Sequence, residues 1–113
     1  MTGIYFTSYP QYAAGYAGMK VSPSAAAAGV KKCLIMCYVL LLNPFPVVSS
    51  DELFGKGSYQ NYQTHYTGVK LTSKPEKMIF KPPASNSIGE VEYDEIIVFQ
   101  ETHILPQFVV YLK

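Results

Sequence analysis

One uninterrupted apolar run constrains this chain more than any other feature. The run covers residues 33–42 and reads Cys-Leu-Ile-Met-Cys-Tyr-Val-Leu-Leu-Leu. A helix that spans a membrane needs about 20 apolar residues, so the run is too short for that role. Asn43-Pro-Phe-Pro46 follows it, and two prolines would prevent continued strand pairing there. We therefore predict a strand over residues 32–42 that is buried on both faces.

Two cysteines, Cys33 and Cys37, fall on the same face of that predicted strand. At roughly 3.3 Å per residue their Cα atoms would lie about 13 Å apart. A disulfide needs Cα atoms within about 7 Å of each other. We therefore predict two reduced core thiols, which indicate an intracellular protein in the cytoplasm or nucleus.

The composition limits the size of the fold and the class of partner. With 113 residues the chain fits at most one domain, and 49% hydrophobic residues suffice for a modest core. The net charge of +1 argues against direct nucleic-acid binding, which depends on neutralised phosphates. The first residues carry neither a basic start nor an apolar core, so we predict no signal peptide and no membrane partner.

The first 31 residues predict a strand, a helix and a loop. Residues 3–7 form a short strand, and Ser8 is a candidate N-cap for the helix that follows. Gly18 can end that helix. Residues 19–31 are small and polar and are predicted as a loop. Spacing of i, i+3, i+4 and i+7 places four residues on one helix face: Tyr9, Tyr12, Ala13 and Tyr16.

Apart from the apolar run and the helix, the sequence predicts short strands and long loops. Loop-rich insertions are predicted at about 19–31 and 49–92, and Pro106 is expected to separate the last two strands. The fold class predicted is α+β, with mostly antiparallel β-sheets and one clear helix. The predicted strands after the run cover 47–48, 64–71, 78–80, 95–100 and 108–112.

Most common chemical motifs are absent from the sequence. It contains no phosphate-binding glycine loop and no CxxC pair. His65 and His103 have no metal-ligand spacing, so no metal site is predicted.

Three motifs, taken in order, resemble the C-terminal part of the poly(ADP-ribose) polymerase catalytic domain, a family of diphtheria-toxin-like ADP-ribosyltransferases. The first is Gly-Ile-Tyr-Phe at residues 3–6, with a second tyrosine, Tyr16, eleven residues after Tyr5. The second is Tyr-Asp-Glu-Ile-Ile-Val-Phe at 93–99, and the third is His-Ile-Leu-Pro-Gln-Phe-Val-Val at 103–110. The resemblance extends over nearly the whole chain.

This resemblance implies an ADP-ribosyltransferase-like fold and a glycosyltransferase that moves ADP-ribose from NAD to a protein acceptor and releases nicotinamide. NAD is then the substrate that donates ADP-ribose, and no metal is needed. Glu95 holds the position of the family's catalytic glutamate. Tyr5 and Tyr16 hold the positions of the two tyrosines that stack on the nicotinamide ring, with Tyr5 belonging to both the catalytic and the NAD-binding set.

The residues themselves also admit plainer interpretations. Glu95 opens an otherwise apolar strand, and a carboxylate at the edge of an apolar face suits a cleft. The alternative is an ordinary solvated charge at a strand edge, because Glu92 and Asp94 lie beside it. For Tyr16, the alternative to ring stacking is a core position on the helix face that it shares with Tyr9 and Tyr12.

The chain also departs from the family pattern. The family's histidine, in a His-Gly-[ST] strand before the first tyrosine, has no counterpart here, and neither His65 nor His103 can be carried over to it. Ala13 stands where the family often has a serine. Residues 1–113 therefore predict a partial catalytic domain without its N-terminal strands and with little activity alone. The alternative is an inactive or truncated fold that acts as a binding or interaction module.

Overall fold

A computed structural model describes residues 3–19, 29, 31–47, 57–71, 80–81 and 91–113. Over these ranges the chain is mixed α+β, mostly strands with one α-helix, which confirms the predicted class at that level. The predicted insertions at 19–31 and 49–92 lie largely outside them. The elements are β1 Ile4–Phe6, α1 Pro10–Met19, β2 Cys33–Val39, β3 Pro44–Pro46, β4 Thr64–Leu71, β5 Phe80–Lys81, β6 Tyr93–Val98, a 3₁₀ turn Glu101–His103 and β7 Ile104–Tyr111.

The main sheet has the strand order β1-β6-β4-β3, and β5 pairs with β4. Strand β6 lies between β1 and β4 and is antiparallel to both, whereas β3 and β4 are parallel. Tyr5 of β1 lies opposite Ile97 of β6. Because side chains alternate along a strand, Tyr5, Ile97 and Glu95 share one face of the sheet.

A second sheet consists of β2 and β7 alone and is called the ribbon below. Its antiparallel register runs from Cys33 opposite Tyr111 to Val39 opposite Ile104. Pro106 lies inside β7, so the prediction that it separates two strands is wrong. The register shifts at Cys37, the residue opposite Pro106, and a bulge is one of the places where a strand accommodates proline.

The prediction that the apolar run is buried on both faces is also wrong. Ile35 is 63% exposed and Tyr38 is 67% exposed, because a ribbon of two strands covers little of its own surface. Cys33 is exposed and Cys37 is half-buried. Both thiols are free, as predicted, but neither is a core residue.

The two prolines after the run form a strand of their own instead of preventing one. Pro44 lies opposite Thr64 and Pro46 opposite Tyr66 in the parallel β3–β4 pair. Proline lacks an N–H and is therefore confined to sheet edges, which is where β3 lies. The predicted strand at 47–48 is not seen at Val47, which follows β3, and residue 48 lies outside the described ranges.

The interior of the main sheet mixes apolar and polar side chains. Thr64 and Thr67 are buried, and their hydroxyls donate to the carbonyls of Leu41 at 2.7 Å and Val47 at 2.8 Å. A buried hydroxyl is tolerated when it finds such a partner. The most deeply buried side chains of the main sheet are Thr64, His65, Thr67, Val69, Ile97 and Val98.

Candidate functional site

The junction between β1 and α1 is fixed by one buried carboxylate, Asp94. It accepts hydrogen bonds from Thr7 Oγ1 at 2.9 Å, from the backbone N–H of Ser8 at 2.8 Å and from the Ser8 hydroxyl. Ser8 is therefore not the N-cap that the sequence predicted. Thr7 Oγ1 instead accepts from the Tyr9 N–H at 3.1 Å, and the helix begins at Pro10.

The start of α1 packs its aromatic rings against β6. The ring of Tyr12 stacks on that of Tyr93 at 5.3 Å and 12° between planes. The ring of Tyr9 meets Tyr93 edge-on at 5.5 Å and 82°. This packing holds the helix over the sheet face that carries Tyr93, Glu95 and Ile97, and it leaves Tyr12 only 5% exposed.

Glu95 lies at the centre of a cluster of hydroxyl groups. Tyr12 donates a short hydrogen bond to Glu95 Oε1, and the Tyr16 hydroxyl lies 3.1 Å from the Tyr12 hydroxyl. The Tyr12 and Tyr16 rings meet edge-on at 5.3 Å and 85°. One carboxylate of the sheet is thereby connected to two successive turns of the helix.

Tyr5 completes the cluster from the neighbouring strand. Burial raises the pKa of Tyr5, and the nearby Glu95 and Tyr16 raise it further. Burial likewise raises the pKa of Tyr16, and burial together with the hydrogen bond to Glu95 raises the pKa of Tyr12 far above its usual range. All three phenols therefore keep their protons at neutral pH and can act as hydrogen-bond donors.

The structure brings together the three residues that the sequence singled out, Tyr5, Tyr16 and Glu95. Their roles toward NAD stay predictions. The plainer alternatives fit less well: Tyr16 is 42% exposed and so is not a core residue, and Glu95 is half-buried and hydrogen-bonded instead of solvated at an edge. Tyr5 is 48% exposed, so two aromatic rings and one carboxylate border the same open surface.

Two residues that hold the cluster in place, Tyr12 and Asp94, are not part of the site that the sequence predicts. Tyr12 was assigned only to the helix face, and Asp94 only to the charges around Glu95. The partner of Tyr12 lies 83 positions away along the chain, and a single sequence offers no signal for that contact. The only available clue was the i, i+4 spacing that places Tyr12 beside Tyr16.

Neither histidine takes part in the cluster. His65 is fully buried opposite Ile97, and its Nε2 accepts a hydrogen bond from the Tyr59 N–H at 2.9 Å. Burial lowers the pKa of His65. His103 belongs to the 3₁₀ turn before β7.

Two half-exposed rings and one carboxylate can together bind a flat aromatic group and stabilise a positive charge beside it.

Within residues 3–19, 29, 31–47, 57–71, 80–81 and 91–113, no group of three or more metal-ligating side chains comes together. No helix in the described part of the chain is long and apolar enough to cross a membrane. Comparisons of the chain with family models, with curated proteins and with solved structures find no match.

Proposed function

We propose that this chain is an NAD-dependent ADP-ribosyltransferase, which transfers ADP-ribose from NAD to a protein acceptor and releases nicotinamide. The observation that carries the proposal is the convergence of Glu95, Tyr5 and Tyr16 on one surface. These residues come from β6, β1 and α1, and they are the ones that the family resemblance assigns to catalysis and NAD binding. The finer assignment of an ADP-ribosyltransferase-like fold is part of the same proposal.

In the reaction, the bond between ribose C1′ and the nicotinamide nitrogen breaks, and nicotinamide leaves with the electron pair. The acceptor atom forms the new bond to C1′ and loses its proton. Positive charge develops on the ribose as the bond breaks, as it does in glycoside hydrolysis. A fixed carboxylate beside that charge lowers the barrier, and Glu95 supplies it while accepting a hydrogen bond from a ribose hydroxyl.

The two tyrosines serve the other half of the substrate. The nicotinamide of NAD is a flat cationic ring, which aromatic faces attract through stacking and through cation–π interaction. Tyr5 and Tyr16 are both about half exposed, so each ring keeps surface available for a ligand. Their hydroxyls remain neutral at physiological pH, so they add no negative charge that would compete with Glu95.

A second candidate is a module that binds NAD or ADP-ribose without turning it over. Two observations support it. Ala13 lacks the hydroxyl that the family often supplies to the nicotinamide amide, and His65 is buried and hydrogen-bonded to Tyr59, so it cannot replace the family's histidine.

The deciding experiment measures nicotinamide release from NAD by the purified chain, a readout that does not depend on the identity of the acceptor. We expect the wild-type chain to release nicotinamide slowly and Glu95→Gln to lower that rate further, by up to about 10²–10³, because the change removes one electrostatic stabiliser and keeps the volume. Glu101→Gln, an exposed carboxylate in the 3₁₀ turn, is the matched control and should leave the rate unchanged.

Three outcomes separate the candidates. Equal rates in the wild-type chain and Glu95→Gln would overturn the role of Glu95. NAD binding without any nicotinamide release would favour the binding module. No NAD binding by calorimetry at millimolar concentration would overturn both candidates.

A further inference from the structure

We infer that Tyr12 is a positioning residue, whose buried hydroxyl fixes the Glu95 carboxylate and the Tyr16 ring in one arrangement before substrate binds. The inference rests on the proposed function, because Glu95 and Tyr16 are its two catalytic and binding groups. It assigns a role to a residue that the sequence motifs do not single out.

Tyr12 is itself held rigidly. Its side chain is 5% exposed. One face of its ring stacks on Tyr93 and the ring also meets Tyr16 edge-on. A phenol packed in this way cannot reach a ligand in solvent, but it can hold its hydroxyl at a fixed point.

Glu95 needs such support. A glutamate has a flexible side chain, and this one is only half-buried. The hydrogen bond from Tyr12 to Oε1 holds the carboxylate against α1. Catalytic groups that are misplaced by about 1 Å can lose on the order of 10² in rate, so a fixed carboxylate matters for the reaction.

The chain that leads into the helix is also bound to β6, from the opposite face of that strand. Asp94 and Glu95 are consecutive residues of β6 and point to opposite sides of the sheet. Asp94 binds Thr7 and Ser8 immediately before the helix, and Glu95 binds Tyr12 within it. Two adjacent carboxylates of β6 thus bind the chain at and before the start of α1. These contacts fix the position of α1 relative to β6, and with it the position of the Tyr12 hydroxyl beside Glu95.

The test compares Tyr12→Phe with wild type in the nicotinamide-release assay. Phenylalanine keeps the ring that stacks on Tyr93 and loses only the hydroxyl. We expect kcat to fall by about tenfold to a hundredfold, with KM for NAD changing less than about threefold. Tyr9→Phe is the matched control, since it removes a hydroxyl from the residue immediately before the helix, also next to Tyr93, and should leave both constants unchanged.

A urea titration followed by circular dichroism distinguishes positioning from a loss of folded protein in Tyr12→Phe. Positioning lowers kcat in a chain that is as fully folded as wild type, whereas a loss of folded protein lowers the rate only by the unfolded fraction. A fall in kcat that matches the unfolded fraction would overturn the inference.

The outcomes are separable from those of the proposed function. An active wild type together with an unchanged kcat in a folded Tyr12→Phe would overturn the inference alone, whereas an inactive wild type would overturn the proposed function and the inference with it. Proton NMR of the wild-type chain is the second measurement. A Tyr12 hydroxyl proton protected from exchange is expected, and its absence would overturn the inference even if Tyr12→Phe failed to fold.

Discussion

The main sheet buries polar side chains beside its apolar ones, whereas the ribbon leaves apolar side chains exposed. In the main sheet His65 and Asp94 are buried, the latter with 5% of its surface exposed. In the ribbon the apolar side chains of Ile35, Tyr38 and Leu105 are 63%, 67% and 58% exposed. Hydropathy alone would predict that the polar residues of the main sheet are exposed and that the apolar residues of the ribbon are buried.

Burial in this chain follows from the neighbours that each strand acquires. Strand β6 has β1 and β4 on its two edges and α1 on one face, so even its carboxylates are partly or fully enclosed. Strands β2 and β7 pair only with each other among the described elements. Polar groups are stable inside the main sheet because each finds a hydrogen-bond partner there.

The largest expected effect comes from exchanging polarity in the two regions. Asp94→Ala leaves the Ser8 N–H and the hydroxyls of Thr7 and Ser8 without their acceptor. Thr7 is half-buried and Ser8 is exposed, so water can replace part of what these donors lose. A hydrogen bond to a charged group contributes about 1.5–3 kcal/mol, and for the three together we expect the free energy of unfolding to fall by about 3 kcal/mol. Urea denaturation monitored by far-UV circular dichroism measures the loss.

The matched change in the ribbon is Phe108→Ser, which makes an apolar residue polar. Phe108 is 58% exposed, and a surface substitution of this kind should cost less than about 1 kcal/mol. A greater cost for Phe108→Ser than for Asp94→Ala would contradict the comparison, because it would mean that the ribbon contributes more buried surface than its exposure indicates.

Local patterns predicted most of the elements of the fold. The alternation over residues 64–71 predicted β4 with the bounds that the structure has. The tyrosine spacing predicted α1, and the motif at 93–99 predicted a strand that begins two residues earlier than the apolar residues alone suggested. These features depend on neighbouring residues, so one sequence carries the information.

Features that depend on distant partners were not predictable in the same way. Residues 44–46 form a strand because they pair with β4 in parallel at the edge of the main sheet. Their two prolines give no local sign of this pairing. The exposure of the ribbon depends on how many strands join it. In the candidate site, the placement of β6 with Glu95 beside β1 with Tyr5 was expected from the family resemblance. The hydrogen bonds of Tyr12 and Asp94 depend on packing across more than 80 positions.

A smaller effect is expected at the glycine that begins the first motif. A Cβ on Gly3 would lie 2.5 Å from Ile97 Cγ2 and 3.2 Å from the Val98 carbonyl oxygen. Ile97 is fully buried and cannot move aside, so Gly3→Ala should force β1 away from β6 and cost about 1–3 kcal/mol by overpacking. Because β1 carries Tyr5, the same variant should also weaken NAD binding.

Gly68→Ala is the control for that change. Its Cβ would lie 2.7 Å from Val91, but Val91 is 44% exposed and its side chain can rotate into solvent. We expect a cost below about 1 kcal/mol, measured by the same urea titration. Equal losses in the two variants would show that the contact between β1 and β6 is looser than the geometry indicates.

The smallest effect concerns the buried imidazole of the main sheet. Burial lowers the pKa of His65, so below about pH 6.5, the ordinary value, the unfolded chain binds a proton that the folded chain resists. Stability is therefore complete above that pH and falls as the pH drops toward the lowered pKa. Protonation of the His65 ring also removes the acceptor of the Tyr59 N–H. A hydrogen bond of this kind contributes about 0.5–1.5 kcal/mol. Urea midpoints between pH 7.5 and 5.5 should decline in wild type and flatten in His65→Gln. A wild-type midpoint that stays constant over this range would show that His65 is not enclosed by the aromatic rings of Phe45 and Phe99 that lie against it.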